Sequence, residues 1–201
     1  MNYEFKTKNE YIRFLANLRE GVPGNESTIY FDDKNGKAIK VFNFNDPNLN
    51  LARKEKKIRE LIKLNDKFPT VLLPENIIMC QNVCVGYTMK TLTGFTSVKE
   101  FQVMARNQKQ DLRYLLRVAT NLAQLIKDLH EEGIIIGDLH PDQFMVKGEI
   151  VYVCDTDTWG FKGKGEEFAA DLVGRREYID PKARDFDKKG VAVTGYSQSN
   201  E

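Results

Sequence analysis

The sequence lacks the features that mark secreted, membrane-spanning and nucleic-acid-binding proteins. No apolar run approaches the roughly 20 residues that a membrane-spanning helix needs, and the polar start MNYEFKTKNEY has no apolar stretch of a signal peptide. The formal net charge is only +1, so no strong field draws the chain to nucleic acid or a lipid surface. Three cysteines without a CxxC pair favour free thiols over a disulfide framework. We therefore expect a cytoplasmic protein with no membrane and no nucleic-acid partner.

The residues that are present have the composition of an ordinary globular protein. Apolar residues make up 41% of the sequence and charged residues 29%, which is not the balance of a disordered chain. A length of 201 residues allows one substantial core or two small lobes. There is no internal repeat and no low-complexity tract.

The first ninety residues alternate between β-rich runs and helical segments. Thr7 and Glu10 have the spacing of a capping box and predict a helix from about 8 to 19. The runs 27–31 and 37–42, joined through Asn35-Gly36, predict a β-hairpin. Further predicted elements are an amphipathic helix at 51–64 and strands at 71–80 and 83–89. We interpret the basic run of that helix as a solvated face: Arg53, Lys54, Lys56, Lys57 and Arg59.

The second half of the sequence is mainly helical in pattern. It predicts a short helix at 98–105 and a long helix at 112–129 that is apolar enough to be central to a core. The apolar run 134–136 predicts a buried strand, and two short strands follow near 143–146 and 150–154. The final stretch, 163–201, is polar and without clear periodicity.

Three charged residues lie within or directly after apolar runs. Lys40 lies in KAIKVF, Asp138 follows GIIIG, and Asp155 follows IVYVC. Taken singly, a strand lysine is usually solvated, and an aspartate after a strand is usually a turn residue or helix cap. A lysine on the inner face of a sheet, however, needs a partner or an anionic ligand. The combination of the three residues, in this order, points to a site.

The segments that carry Lys40, Asp138 and Asp155 resemble motifs of the protein kinase-like superfamily, and they follow one another in the same order as those motifs. IGDLHPDQ (136–143) resembles the catalytic loop H-R-D-L-x-x-x-N, in a G-D-L-H-P form, and CDTD (154–157) resembles D-F-G. KAIK (37–40) is similar to V-A-I-K, and GRREYIDPKA (174–183) is similar to the end of the activation segment. The D-T-D motif and GYTM (86–89) are similar to those of atypical bacterial Ser/Thr protein kinase-like domains.

The resemblance implies an α+β fold of the bilobal protein kinase-like type, truncated before the later C-lobe helices. Residues 1–89 would form an N-lobe with a β-sheet and the helix at about 51–64, residues 90–94 the hinge, and 95–201 a partial, mainly helical C-lobe. A partner chain or a missing C-terminal region would complete that C-lobe. Within it, the resemblance places a catalytic loop at 136–143, a metal-binding motif at 155–157 and an activation-like segment at 158–183.

The chemistry implied by the resemblance is transfer of the γ-phosphate of ATP to a Ser/Thr hydroxyl of a protein or to a small-molecule hydroxyl, with Mg²⁺ or alternatively Mn²⁺. Asp138 would accept or orient the hydroxyl proton, and Lys40 would hold the α- and β-phosphates. Asp155 and Gln143 would bind the metal. His140 belongs to the same catalytic set, and it would contact the transferred phosphate or structure the loop.

The resemblance also implies a set of nucleotide-binding residues. Glu55 would orient Lys40, with Glu60 as the alternative because the spacing does not decide between them. The other residues implied to contact the nucleotide are Gly24, Ile29, Ala38, Met89, Lys90, Leu92 and Met145.

Departures from the family pattern favour a second interpretation. Gln143 stands where the family has Asn, and its extra methylene moves the amide oxygen by about 1.5 Å. Lys182 replaces the glutamate of A-P-E, and a glycine-rich phosphate loop would fall on Val22, Gly24 and Ser27, where only Gly24 fits. The alternative is a pseudokinase that binds nucleotide or protein partners without turnover. A purely structural domain would require three motifs to match by accident.

Overall fold

The computed structural model describes residues 3–24, 26–43, 49–107 and 111–170, and these form a mixed α+β protein. The α+β class is therefore confirmed. The chain divides into two compact units, Met1–Thr93 and Gly94–Glu201. Within the described ranges, no helix has the length and apolar character needed to cross a membrane. The 174–183 motif and Lys182 lie outside the described residues.

The first unit contains one six-stranded sheet and two helices. Its strands are hydrogen-bonded in the order β1-β5-β6-β4-β3-β2, and only β1 and β5 run parallel. The predicted hairpin is confirmed as β3 and β4, with Gly36 at a positive φ of 62° in the connecting turn. The elements are β1 (Glu4–Phe5), α1 (Lys8–Ala16), β2 (Arg19–Pro23), β3 (Ser27–Asp32), β4 (Lys37–Phe42), α2 (Leu51–Ile62), β5 (Asn76–Cys80) and β6 (Val83–Lys90).

The first helix begins where its capping box predicts. Thr7 Oγ1 accepts a hydrogen bond from the Glu10 backbone N–H at 3.2 Å, and Glu10 Oε2 accepts one from the Thr7 N–H at 3.1 Å. The predicted end at residue 19 is wrong, because α1 stops at Ala16 and Arg19 opens the strand β2. The sequence did not predict this strand because proline, here Pro23, usually argues against one. β2 lies at the edge of the sheet, however, where proline is tolerated.

The sheet of the first unit has an apolar cluster on each face because side chains of a strand alternate. Ile39 and Val41 of β4 pack with Tyr11 of α1 in one cluster. Ala38 and Phe42, the alternate residues of β4, pack with Ile58 of α2 in the other. The sheet is therefore covered by a helix on both sides, and the second cluster is the one that shares its face with Lys40.

Two predictions for residues 51–80 are wrong in detail. Lys57 is only 4% exposed, although the basic run of α2 was predicted to be solvated. It precedes the buried Leu61 by four residues and so lies on the same face of the helix, where its long apolar stem can be buried. The strand predicted to start at residue 71 starts at Asn76, and the residues before it are buried without being part of a strand.

In its described residues, the second unit combines two helices with short strands. The hairpin of β8 and β9 was predicted, while β7, β10 and β11 were missed because each is two residues long. β7, β8 and β9 form an antiparallel sheet, and β10 pairs with β11. The elements are β7 (Thr96–Ser97), α3 (Val98–Asn107), α4 (Leu112–Glu131), β8 (Phe144–Lys147), β9 (Ile150–Val153), β10 (Phe161–Lys162) and β11 (Glu167–Phe168).

The long helix α4 is buried on one face only. Val118, Leu125 and Leu129 are buried, but Leu112 is 66% and Leu116 57% exposed. The prediction that the whole helix is central to a core is therefore wrong for its first turns. The apolar face of α4 is wider than the part of it that β9 and the neighbouring elements cover in the described part of the chain.

The segment after α4 is buried but is not a strand. Gly133, at φ 72°, ends the helix in a Schellman motif: its N–H donates to the His130 carbonyl oxygen at 2.9 Å, and the Ile134 N–H donates to that of Leu129 at 3.0 Å. Ile134 and Ile136 are buried, as predicted. The predicted strand is wrong, because Ile135 forms only an isolated bridge with Gly160.

We expect Gly86→Ala to destabilise the first unit. A Cβ at Gly86 would lie 2.1 Å from the Lys40 carbonyl oxygen, so the β4 and β6 backbones would have to separate. Overpacking of this kind costs about 1–3 kcal/mol or more, which denaturant unfolding would measure as a lower midpoint. In Gly24→Ala the nearest atom would be Ser27 O at 3.1 Å, and the loss should be smaller. Equal midpoints for Gly86→Ala and the native chain would contradict the close approach.

Candidate active site

The hairpin of β8 and β9 places two of the predicted motifs side by side in the second unit. Phe144 and Val153 are paired at the open end of the hairpin. Immediately beyond them, the Cys154 N–H donates to the Gln143 carbonyl oxygen at 2.9 Å. The loop 136–143 therefore ends directly beside the start of the turn 155–157. Sequence order alone leaves these motifs eleven residues apart, and the hairpin brings them into contact.

Two further contacts hold the same segments together. Ile135 and Gly160 exchange backbone hydrogen bonds of 2.8 and 2.7 Å. The Thr158 hydroxyl lies 3.3 Å from the Ile136 carbonyl oxygen and 3.1 Å from that of Asp155, so its single hydrogen is shared between the two. Since Thr158 is buried, these polar contacts are shielded from water. The loop and the turn thus form one fixed unit of backbone.

Within the loop, His140 lies against Asp138. His140 Nε2 is 3.3 Å from Asp138 Oδ2. The other ring nitrogen, Nδ1, accepts a hydrogen bond from the Asp142 backbone N–H at 3.2 Å. Neither of the two predicted roles of His140 included a contact with Asp138. The pairing could not be seen in the sequence, because residues two apart in an irregular loop have no defined spatial relation.

Asp155 has an unusual backbone conformation. Its φ of 64° and ψ of 50° lie in the left-handed region, which non-glycine residues enter at a cost of order 1 kcal/mol or more. A short 3-10 turn, Thr156–Thr158, follows it, and Asp157 within that turn is buried. Such strain persists only where the surroundings impose it, and it is concentrated at functional sites. The backbone conformation is therefore a second reason, besides the CDTD motif, to consider Asp155 a candidate functional residue.

The side chain of Gln143 is a buried amide whose hydrogen-bonding capacity is not used. Gln143 is 2% exposed, and neither Oε1 nor Nε2 has a hydrogen-bond partner among the described residues. The Thr156 hydroxyl and Trp159 Nε1 are also buried without a hydrogen-bond partner among the described residues. Thr156 lies in the 3-10 turn after Asp155, and Trp159 follows that turn directly. Sequence reasoning missed these two residues, and nothing in their spacing distinguishes them from core residues.

The donor set of this region fits a hard cation that takes few ligands from protein. An amide oxygen and a carboxylate are oxygen ligands of the type that Mg²⁺ prefers, and Mg²⁺ commonly uses one or two carboxylates plus phosphates and water. Gln143 and Asp155 would supply the protein part of such a set. Within the described ranges, no three His, Cys, Asp or Glu side chains are grouped as a complete metal site. A metal bound here would take its remaining ligands from phosphate or water.

In the first unit, the register of the sheet gathers four of the predicted nucleotide-binding residues. Lys40 pairs with Ile29 on β3, and Ala38 pairs with Met89 on β6. Directly opposed residues of antiparallel strands project from the same face, and so do residues two apart. All four side chains therefore lie on the face that carries the cluster with α2. Lys40 is only 7% exposed there.

Both candidate glutamates of α2 are half-buried, and each has a basic neighbour on its own helix. Glu55 Oε1 accepts from Arg59 Nη2 at 2.8 Å, and Glu60 forms an ion pair with Lys63. Burial raises the pKa of Cys84 to about 11, and the nearby Glu55 carboxylate adds to the rise. Since Cys84 belongs to the cluster on the Lys40 face, the Glu55 carboxylate lies near that cluster. The assignment of Glu55 to Lys40 stays a prediction.

The other predicted residues are placed as follows. The Gly24 N–H donates to the Ser27 carbonyl oxygen at 2.8 Å, which closes the turn between β2 and β3. Lys90 is exposed at the end of β6, and Leu92 is half-buried beyond it. Met145 lies on β8 of the second unit, half-buried and opposite Tyr152. Asp138, His140, Gln143 and Asp155 are thus gathered in the second unit, and Ile29, Ala38, Lys40 and Met89 in the first.

The sequence was compared with known proteins. It matches no model of a protein family, and no curated protein matches it.

We expect Gln143→Met to be as stable as the native chain or more stable in metal-free buffer. A buried amide without partners costs about 1–3 kcal/mol, and an apolar side chain of similar length removes that cost. Thermal unfolding in the presence of EDTA measures the difference. Gln124→Met, on the exposed part of α4, is the matched control and should lower stability slightly by losing its hydrogen bond to Asp128. A clear drop for Gln143→Met would show that the amide is satisfied in the protein.

Proposed function

We propose that this protein is an ATP- and Mg²⁺-dependent phosphotransferase of the protein kinase-like class, acting on a Ser/Thr or small-molecule hydroxyl. The observation that carries the proposal is the hydrogen bond from the Cys154 N–H to the Gln143 carbonyl oxygen. It sets a loop containing Asp138 beside a turn containing Asp155, which are the two carboxylates that such a reaction assigns to the hydroxyl and to the metal. The bilobal arrangement belongs to the same proposal.

Phosphoryl transfer depends on positioning and charge neutralisation more than on covalent chemistry. Asp138 is suited to orient the acceptor hydroxyl and take its proton, because its side chain is largely shielded from solvent and held by His140. Asp155 and Gln143 are suited to hold the metal. The metal, when bound with nucleotide, neutralises charge on the phosphate oxygens. The left-handed backbone of Asp155 supports this assignment, since strained conformations cluster at functional sites.

Lys40 supports the proposal from the first unit. An ammonium group that is largely removed from water is costly unless strong interactions compensate for it. The flanking residues on its face are apolar, as a surface that receives a flat aromatic base would require: Ile29, Ala38 and Met89. The proposal assigns the phosphates to Lys40 and the base to these side chains.

One observation favours the second candidate, a nucleotide-binding or protein-interaction module without turnover. In a phosphate-binding loop, glycine N–H groups point at the phosphates. The Gly24 N–H instead donates to Ser27 within its own turn. Gln143 also favours the module without turnover, because displacing the metal-binding amide oxygen by one methylene can lower the rate of phosphate transfer by about a hundredfold.

A phosphotransfer assay separates the two candidates. The full chain is incubated with γ-labelled ATP and Mg²⁺, and transfer to itself, to casein and to small alcohols is measured. We expect transfer that falls by about 10²–10⁴-fold in Asp138→Asn, the range lost when a general base is removed. Asp128→Asn changes a carboxylate on the exposed part of α4 and should leave the rate unchanged.

Three outcomes are distinguishable in this assay. Transfer that depends on Asp138 supports the kinase. ATP binding without transfer in the native chain supports the module without turnover. Transfer that is equal in the native chain and in Asp138→Asn would contradict the proposed role of Asp138 and point to a contaminating kinase.

A further inference from the structure

The loop 136–143 contains a histidine whose two ring nitrogens have different partners. Nδ1 faces a backbone N–H, that of Asp142, at 3.2 Å. Nε2 faces a carboxylate oxygen, Asp138 Oδ2, at 3.3 Å. A backbone N–H can only donate, so Nδ1 must be the nitrogen without a hydrogen. In the neutral ring the hydrogen is then on Nε2, where it meets the carboxylate.

We propose that His140 is a positioning residue that holds the Asp138 carboxylate through Nε2–H, in the tautomer selected by the Asp142 backbone amide. This inference rests on the proposed function only in what it says about catalysis. The contact itself is a property of the loop. Because Nε2 lies 3.3 Å from Oδ2, rotation of the carboxylate would move that oxygen away from the Nε2–H and weaken the attraction between the two groups.

The same histidine also organises the turn that carries Gln143. His140 is the N-cap of the short 3-10 turn Pro141–Gln143, because its Nδ1 accepts the Asp142 N–H and its carbonyl oxygen accepts the Gln143 N–H at 3.1 Å. The ring therefore links the carboxylate of Asp138 to the backbone of Asp142, and the backbone carbonyl of the same histidine bonds to Gln143. The two ring nitrogens allow one side chain to make both ring contacts at once.

Among the described residues, the charged groups near the ring include Asp138, Asp142, whose Oδ2 lies 4.0 Å from Nδ1, and beyond it Lys99, whose Nζ lies 3.8 Å from the same Oδ2. The side chain of His140 is largely buried, so the contact with Asp138 is shielded from competing water. The attraction between the ring N–H and the carboxylate is less screened there than it would be at the surface.

The chain is well suited to a spectroscopic test, because it contains only two histidines, His130 and His140. Nitrogen NMR of the imidazoles at neutral pH, on the full chain, reports which nitrogen carries the hydrogen. His130→Gln assigns the signals. We expect His140 to show a protonated Nε2 and a bare Nδ1. In Asp138→Ala the Nε2 hydrogen should exchange with water roughly tenfold faster or more, since a hydrogen bond to a charged group is lost.

Two substitutions separate positioning from simple loop structure. His140→Asn keeps an acceptor for the Asp142 N–H but is too short to reach Asp138. His140→Gln places an amide N–H near the position of Nε2. If the native chain transfers phosphate, we expect kcat to fall by about 10–100-fold in His140→Asn, the usual loss when a group orienting a functional side chain is removed. The KM for ATP should not change, and His140→Gln should recover part of the rate.

The inference is overturned if His140 carries its hydrogen on Nδ1, or if Asp138→Ala leaves the exchange of the Nε2 hydrogen unchanged. It is also overturned if His140→Asn and His140→Gln lose the same activity. If the native chain transfers no phosphate, the proposed kinase function fails, and the NMR measurements alone decide whether His140 holds Asp138.

Discussion

The candidate site depends on the register of one short hairpin. β8 and β9 are four residues each, and their pairing sets Gln143 opposite Cys154. Shifting that register by one residue would turn Gln143 and its neighbours to the opposite face. The register is defined by burial, because Phe144, Val146, Val151 and Val153 are all buried while their alternate neighbours are not. The placement of Gln143 beside the turn that carries Asp155 follows from this alternation.

Helix α4 contacts the hairpin turn and also leads into the loop. The Tyr114 hydroxyl near its start donates to the Gly148 carbonyl oxygen at 2.7 Å, and Nδ2 of Asn121 in its middle donates to that of Glu149 at 2.8 Å, both in the hairpin turn. At its other end, the Schellman motif directs the chain into Ile134–Ile136, which leads to Asp138. The apolar run of this segment serves as a buried support for a polar loop. Its backbone bonds are made to Leu129 and Gly160 rather than within a strand ladder.

The sequence predicted those parts of the fold that are determined locally. The capping box of Thr7, the turn at Asn35-Gly36 and the alternation around Lys40 each depend on residues a few positions apart, and each predicted element is present. The errors lie where distant residues decide. Burial of Lys57 depends on the elements that pack against α2, and exposure of Leu116 depends on the elements that cover α4. Strand β2 forms because it is hydrogen-bonded to β3. The contact of His140 with Asp138 depends on irregular loop geometry, for which sequence spacing gives no rule.

The proposed function requires that binding of Mg²⁺-ATP depend on Lys40 and on Asp155, and ligand-induced stabilisation measures that dependence. Thermal unfolding of the native chain, Lys40→Ala and Asp155→Ala is measured with and without Mg²⁺-ATP, with Lys34→Ala in an exposed turn as the control. Nucleotide at about 100 times its dissociation constant should add roughly 2.7 kcal/mol, a shift of several degrees for a chain of this size. We expect that shift in the native chain and in Lys34→Ala, and a smaller one in Lys40→Ala and Asp155→Ala. No shift in the native chain at saturating nucleotide, or an equal shift in all four proteins, would contradict the proposed function.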